Sequence, residues 1–109
     1  MKRVVVDDLP LEPLAAAGVF HQHWLPHVEA LLAGGEDVLV ALGPADHKHR
    51  EWRRAIAAGL ARAQTPRRVN VIAGAGGEGI LACENFLCRA EGVTGQYFET
   101  DSWGAGETL

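Results

Sequence analysis

Three glycines, Gly74, Gly76 and Gly79, have the spacing of a Gly-x-Gly-x-x-Gly loop, and Glu99 stands twenty residues after the last of them. Between a strand and a helix, such a loop offers backbone amides and a helix N-terminus to a pyrophosphate, and the acid can take a ribose hydroxyl. A tight turn asks for the same glycines, and Glu78 puts negative charge where the phosphates would lie. Five histidines are many for this length. His23 and His27 are one helical turn apart, and His21, His47 and His49 could complete a nitrogen ligand set. With no cysteine nearby, they read instead as solvated or interface side chains without a metal. Arg50, Arg53, Arg54, Arg67 and Arg68 read as a solvated basic face. Tyr97 is the only tyrosine and Ser102 the only serine. No nucleophile stands beside a base, so the residues predict no catalytic site and no enzyme.

These groups must be held by an alternating set of strands and helices. Arg3–Val6 is a short apolar run closed by Asp7 and Asp8, which reads as a buried parallel strand. Leu9–Pro13 is a connection. Over Ala15–Ala33, the positions Phe20, Trp24, Val28, Leu31 and Leu32 fall on one helical stripe, which Pro26 should bend or break. Asp37–Leu42 is a second strand. Asp46 caps a helix running to Ala63, on which Trp52, Ile56 and Leu60 recur at four-residue spacing. Arg68–Ala73 is a third strand, Ile80–Leu87 a short helix, Val93–Glu99 the last strand, and 102–109 a flexible tail. The order βαβαβαβ calls for an α/β fold of about four parallel strands with three main helices as crossovers.

The chain of 109 residues carries a formal charge of −4 and is 48% hydrophobic, which fits one globular domain and gives no field for nucleic acid or an anionic membrane. No run is apolar enough to span a bilayer. Met1–Asp8 has too short an apolar core for a signal peptide. Cys83 and Cys88 match no metal or redox spacing and read as reduced thiols in a cytoplasm.

Several stretches together resemble the short-chain dehydrogenase/reductase (SDR) family. Arg68-Val-Asn-Val-Ile-Ala-Gly is similar to the family's Arg-Val-Asn-x-Ile-x-Pro-Gly strand. Phe86-Leu87 followed by Val93-Thr-Gly-Gln and Asp101 is similar to its closing segment. Gly18-Val-Phe20 and Leu25-Pro-His27 resemble its long interface helix, which accounts for His27. The likeness runs from Gly18 to Asp101 and concerns the C-terminal half of the family's fold. It implies a truncated Rossmann-like domain, a single unit over 1–109 lacking the nucleotide-binding half.

Two departures from the family pattern matter. Asp7-Asp8-Leu9-Pro10 stands where the family has Asn-Asn-Ala-Gly. The family's proton-transfer Tyr-x-x-x-Lys falls on Pro44 and Lys48 by one alignment and on Asp46 and Arg50 by another, so no phenol is in place.

The expectation is therefore a catalytically inactive domain without a cofactor, cytoplasmic, with a structural or protein-interaction role. Its partner is a second copy or a protein supplying the missing half. The resemblance implies a helical dimer interface, and the residues place it at Phe20, Trp24, Trp52, Ala55, Ile56, Gly59, Leu60 and Ala63, where Ala55, Gly59 and Ala63 form a small-residue seam. The alternative is a nucleotide-binding module using Gly74, Gly76, Gly79 and Glu99.

Overall fold

Alternation along the strands settles where the layers lie. The structure, a computed structural model, describes residues 1–100. Strands β1 (Lys2–Val6), β2 (Val38–Leu42), β3 (Val69–Ala73) and β4 (Tyr97–Glu99) are all parallel and lie in sequence order across one sheet. Val4, Val6, Val38, Val40, Leu42, Val69 and Val71 turn one way, toward Phe20, Val28, Leu32, Ile56 and Leu60. Leu39, Ala41 and Ile72 turn the other way, toward Leu87. A sheet apolar on both faces needs helices on both.

On the first face lie α1 (Pro13–Val19), α2 (Leu25–Ala33) and α3 (Arg50–Ala63). On the second lies α4 (Gly77–Arg89) alone. Strand order advances in one direction throughout, so moving the last crossover helix to the opposite face reverses its hand relative to the first two. The expected α/β architecture, with its strand and helix order, is the one observed.

Proline chemistry shapes the long helix. Pro13 occupies its first turn, where a missing amide costs nothing, and the Glu12 carboxylate accepts from the amides of Leu14 and Ala15. The connection expected through Pro13 thus ends one residue earlier. Pro26 cannot donate to the carbonyl four residues back, and the chain answers with a π-helical turn over Phe20–Trp24, in which the Leu25 amide reaches Phe20 O. The helix widens there rather than stopping.

Other boundaries shift for identifiable reasons. Asp46 does cap, but it caps a 3-10 turn over His47–His49 by accepting from the Lys48 amide, and the α-helix proper starts at Arg50. The last strand, expected from Val93, begins only at Tyr97. Val93–Gln96 forms a turn instead: buried Asn70 donates to Val93 O at 3.1 Å and accepts from the Gln96 amide at 3.0 Å, while Thr94 Oγ1 accepts from the Val69 amide at 3.0 Å. Gly95 has φ +75°, and a β-carbon there would press on Ala61. A β-branched residue in place of Gly95 would be strained.

β1 departs from the buried strand expected of it. It lies at the sheet's edge, and Val5, on the α4 face, is 57% exposed, because α4 covers β2 and β3 but not β1. The expected tail at 102–109 lies outside the described residues. Among the described residues no helix is long and apolar enough to cross a membrane.

Candidate functional site

Parallel strands in an open sheet deliver loops to their carboxyl ends, and this is where ligands of such folds sit. At that end of β1 and β2 a cavity of about 350 Å³ opens between the loop after β1 and the start of α3. Its polar lining is Asp7, Asp46, His49 and Arg53, and Pro44 belongs to its wall. Asp7 has no role expected from the sequence, and Arg53 is expected on a solvated face.

Arg53 is instead only 4% exposed, on the inner side of α3. Its Nη1 donates to Gly43 O at 3.0 Å and to the Tyr97 hydroxyl at 3.2 Å, its Nε is buried without a partner, and the guanidinium stacks 5.5 Å from the centre of the Trp52 ring. Among the described residues no carboxylate lies within ion-pair distance of it. Helical periodicity would have flagged this arginine, since it falls three residues before Ile56 on the buried stripe.

His49 is also buried, against the expectation of a solvated or interface ring. The Trp52 indole N–H donates to His49 Nδ1 at 3.1 Å, which leaves Nε2 as the protonated nitrogen, and this donates to Leu11 O at 2.8 Å. Both nitrogens are engaged, so the ring has no lone pair free to take a proton from a substrate. Asp46 holds the Lys48 amide.

Neither alignment to the family's Tyr-x-x-x-Lys places a proton-transfer pair here. Lys48 is exposed, and Arg50 is committed to Glu99, with Nη2 3.1 Å from Oε1 and Nε 3.2 Å from Oε2. Tyr97 sits in β4 with its hydroxyl accepting from Arg53. Burial pushes the Tyr97 phenol up, Arg53 pulls it back in part, and Glu99 adds to the rise. A phenol held protonated is the reverse of the activated one that hydride-transfer chemistry uses. Ser102 lies outside the described residues.

The glycine loop has a packing reason for its composition. Thr100 lies against both Gly74 and Gly79, where a β-carbon on either would collide with its side chain. Its amide donates to Ala73 O at 2.7 Å. Gly76 is the N-cap of α4 and has open space around it, and Glu78 stands in the first turn. Thr100 thus packs on Gly74 and Gly79, a groove with Val5, Ala41 and Ile80 opens beside Gly74 and Ala75, and Glu99 is bound to Arg50.

The remaining histidines are dispersed. His21 Nδ1 lies 2.7 Å from Ala17 O, while His23 and His27 line a shallow surface groove with Asp8 and Trp24. Trp24 Nε1 donates to Asp8 at 2.9 Å. Among the described residues no three His, Cys, Asp or Glu side chains converge on a metal position.

Of the residues read as an oligomer interface, Phe20, Ile56 and Leu60 belong to the chain's own core, and Trp52 packs 5.8 Å from Phe20. Trp24 is half-buried. Ala55 and Ala63 remain exposed, with Gly59 open beside them. The seam therefore keeps its small residues but loses the large apolar ones that were to flank it.

Compared with known protein families, residues 4–100 match the SDR-like family, described as short chain dehydrogenase-like protein. No curated protein and no solved structure matches the chain.

Proposed function

This chain belongs to the SDR-like family of short chain dehydrogenase-like proteins; we propose that within it this chain is a non-catalytic domain that acts by associating with protein, first of all with a second copy of itself, in the cytoplasm. One observation carries the reading: the sheet is covered unequally. Three helical segments shield one face, whereas α4 alone serves the other and leaves Val5 bare on β1, which is also an edge strand of the sheet. Val5, Leu81 and Phe86 are exposed on β1 and α4, and Leu11 and Leu14 are exposed before and on α1. A groove of about 420 Å³ runs between Val5, Ala41 and Ile80. Free sheet edges and clustered apolar surface invite a partner.

The chemistry of the cleft supports the non-catalytic half of the proposal. Pro44 or Asp46 stands in place of a phenol, both nitrogens of His49 are bonded, and Arg50 is tied to Glu99. The nucleotide-binding reading has the weaker support, because contact with Thr100 already accounts for Gly74 and Gly79, Glu99 is tied to Arg50, and Glu78 sets negative charge in the first turn of α4.

Light scattering on the 109-residue chain, from high to low micromolar concentration, tests the association. A dimer is expected. A folded monomer throughout that range would overturn the reading.

A further inference from the structure

The edge strand has a charge pattern that reads the same in reverse with opposite sign. Lys2 and Arg3 open it, Val4, Val5 and Val6 form its centre, and Asp7 and Asp8 close it. Placed antiparallel to its own copy about Val5, this segment sets Arg3 opposite Asp7 and Lys2 opposite Asp8. Placed parallel and in register, it sets like charges together. Directly opposed charges in neighbouring strands attract or repel at close range.

The backbone is oriented for that pairing. The Lys2 amide donates to Asp37 O at 2.8 Å, across to β2. Successive residues of a strand aim their N–H and C=O groups at opposite sides. Lys2, Val4 and Val6 therefore serve β2, and Arg3, Val5 and, in continuation, Asp7 present theirs outward. In an antiparallel pair centred on Val5, the two copies of Val5 exchange both bonds, and so do Arg3 and Asp7 of opposite copies. The outward groups are those of the residues whose charges complement one another. A register centred on Val4 also pairs outward-aimed residues, Arg3 with Val5, but it sets Lys2 and Arg3 opposite valines, so the charges select the register centred on Val5.

The side chains agree with this register. Arg3 and Val5 share the α4 face, where Arg3 is paired with Glu84 and Val5 is bare, and Asp7 follows the end of β1 at the mouth of the grooves on both faces. A guanidinium has five donors and can hold Glu84 and an incoming Asp7 together. Asp8 accepts from Trp24 and, like Lys2, remains exposed.

We infer that two copies join through antiparallel pairing of the β1 edge about Val5, making one continuous eight-stranded sheet. The inference rests on the reading of the chain as a self-associating domain and names the surface and the partner. A twofold contact of this kind closes on itself and stops at a dimer.

Two charge variants test it with the full chain. Chains carrying Asp7→Arg alone place positive on positive across the twofold, and chains carrying Arg3→Asp alone place negative on negative. Each should run as a monomer in light scattering where the parent is a dimer, with unchanged far-ultraviolet circular dichroism. Mixed in equal amounts, the two should form a heterodimer, because each then faces the opposite charge at both positions. Arg3→Asp also removes the Glu84 pair, so Val5→Pro serves as a second probe. It deletes only an outward amide and keeps the bonds to β2. It too should give a folded monomer. Dimers that persist in all three variants would overturn the edge pairing while leaving self-association standing. A parent chain that is itself a monomer would overturn both.

Discussion

Thr100 lies across Gly74, its hydroxyl oxygen inside contact distance of the place a β-carbon on that glycine would take, and it reaches Gly79 as well, 2.9 Å from the corresponding position. Its backbone is fixed by the bond from its amide to Ala73 O at 2.7 Å, so only its side chain can give way. Gly74→Ala should cost about 1–3 kcal/mol in urea unfolding, as overpacking of a close contact does. Thr100→Ala in the same chain should recover most of the loss, since the two sites share one contact. Gly76→Ala, with open space around it, should cost less than about 1 kcal/mol. The same series bears on ligands. Titration calorimetry with nicotinamide dinucleotides should show no saturable heat at a Kd below about 100 μM, roughly −5.5 kcal/mol. Saturable binding that Gly76→Asp abolishes would return the loop to nucleotide binding.

Asp37 and Arg68 join three elements at the base of the sheet. The Arg68 amide donates to Asp37 Oδ1 at 2.8 Å and its Nε to Oδ2 at 3.3 Å, while Nη1 holds Leu87 O and Ala90 O at 2.9 Å each, at the end of α4. Burial alone would push the Asp37 carboxyl up, but the Arg68 amide and guanidinium, with Arg67 nearby, outweigh it and hold the carboxyl below its ordinary 3.8. A lowered folded value means that the pair contributes stability above the unfolded value and loses it as pH falls through the folded one. Asp37→Asn should therefore cost about 1–2 kcal/mol near neutral pH and leave a shallower acid limb in unfolding followed from pH 6 downward. Equal stability of the two chains at neutral pH would remove the pair from the account.

Much of this was legible in the sequence because the recognisable segments are in contact with each other. Arg68-Val-Asn and Val93-Thr-Gly-Gln are far apart along the chain, yet Asn70 binds Val93 and Gln96, and Thr94 binds Val69. Their residue types answer to one another, so a likeness in both implies the fold that joins them. Periodicity found the strands and the three helical regions for a similar reason: burial on one face imposes it. It misplaced Val93–Gln96 because a β-branched residue beside glycine reads as strand until its backbone bonds to side chains are known. The charge of Arg53 suggests a solvated side chain, although its place three residues before Ile56 puts it on the buried stripe of α3. Sequence spacing alone does not tell whether Ile56 and Leu60 face a partner or the chain's own sheet, and this sheet takes them.

Cys83 offers a titration at the opposite end of the pH scale. It is half-buried against the sheet beside Ile80 and Leu87, whereas Cys88 is exposed. Burial first, then the neighbouring Glu84 carboxylate, pushes the Cys83 thiol from 9.0 up to about 11. A raised folded value gives stability that is complete below the unfolded value and lost as pH rises through the folded one. Thiolate absorbance should show a step near pH 11 that Cys83→Ala deletes, and alkylation around pH 8 should reach Cys88 well before Cys83. Equal alkylation rates would mean that α4 leaves Cys83 open to solvent.

Gly59 separates the two surfaces on which a dimer could form. It lies within α3, and nothing comes within 4 Å of the place a β-carbon would occupy. Glycine inside a helix costs about 0.5–1 kcal/mol against alanine, so Gly59→Ala should raise stability by that amount. Gly59→Arg should keep part of the gain, since its long side chain can extend into solvent beside exposed Arg62 and Ala63. A dimer built on the Ala55–Gly59–Ala63 seam would have to admit a guanidinium at the point of closest helix approach and would come apart. A dimer built on the β1 edge would be untouched, because α3 lies on the helical face of the sheet and contacts β3 and β4, away from β1. Light scattering of Gly59→Arg should therefore match the parent at every concentration, with a melting temperature no lower. Dissociation without unfolding would move the interface to α3.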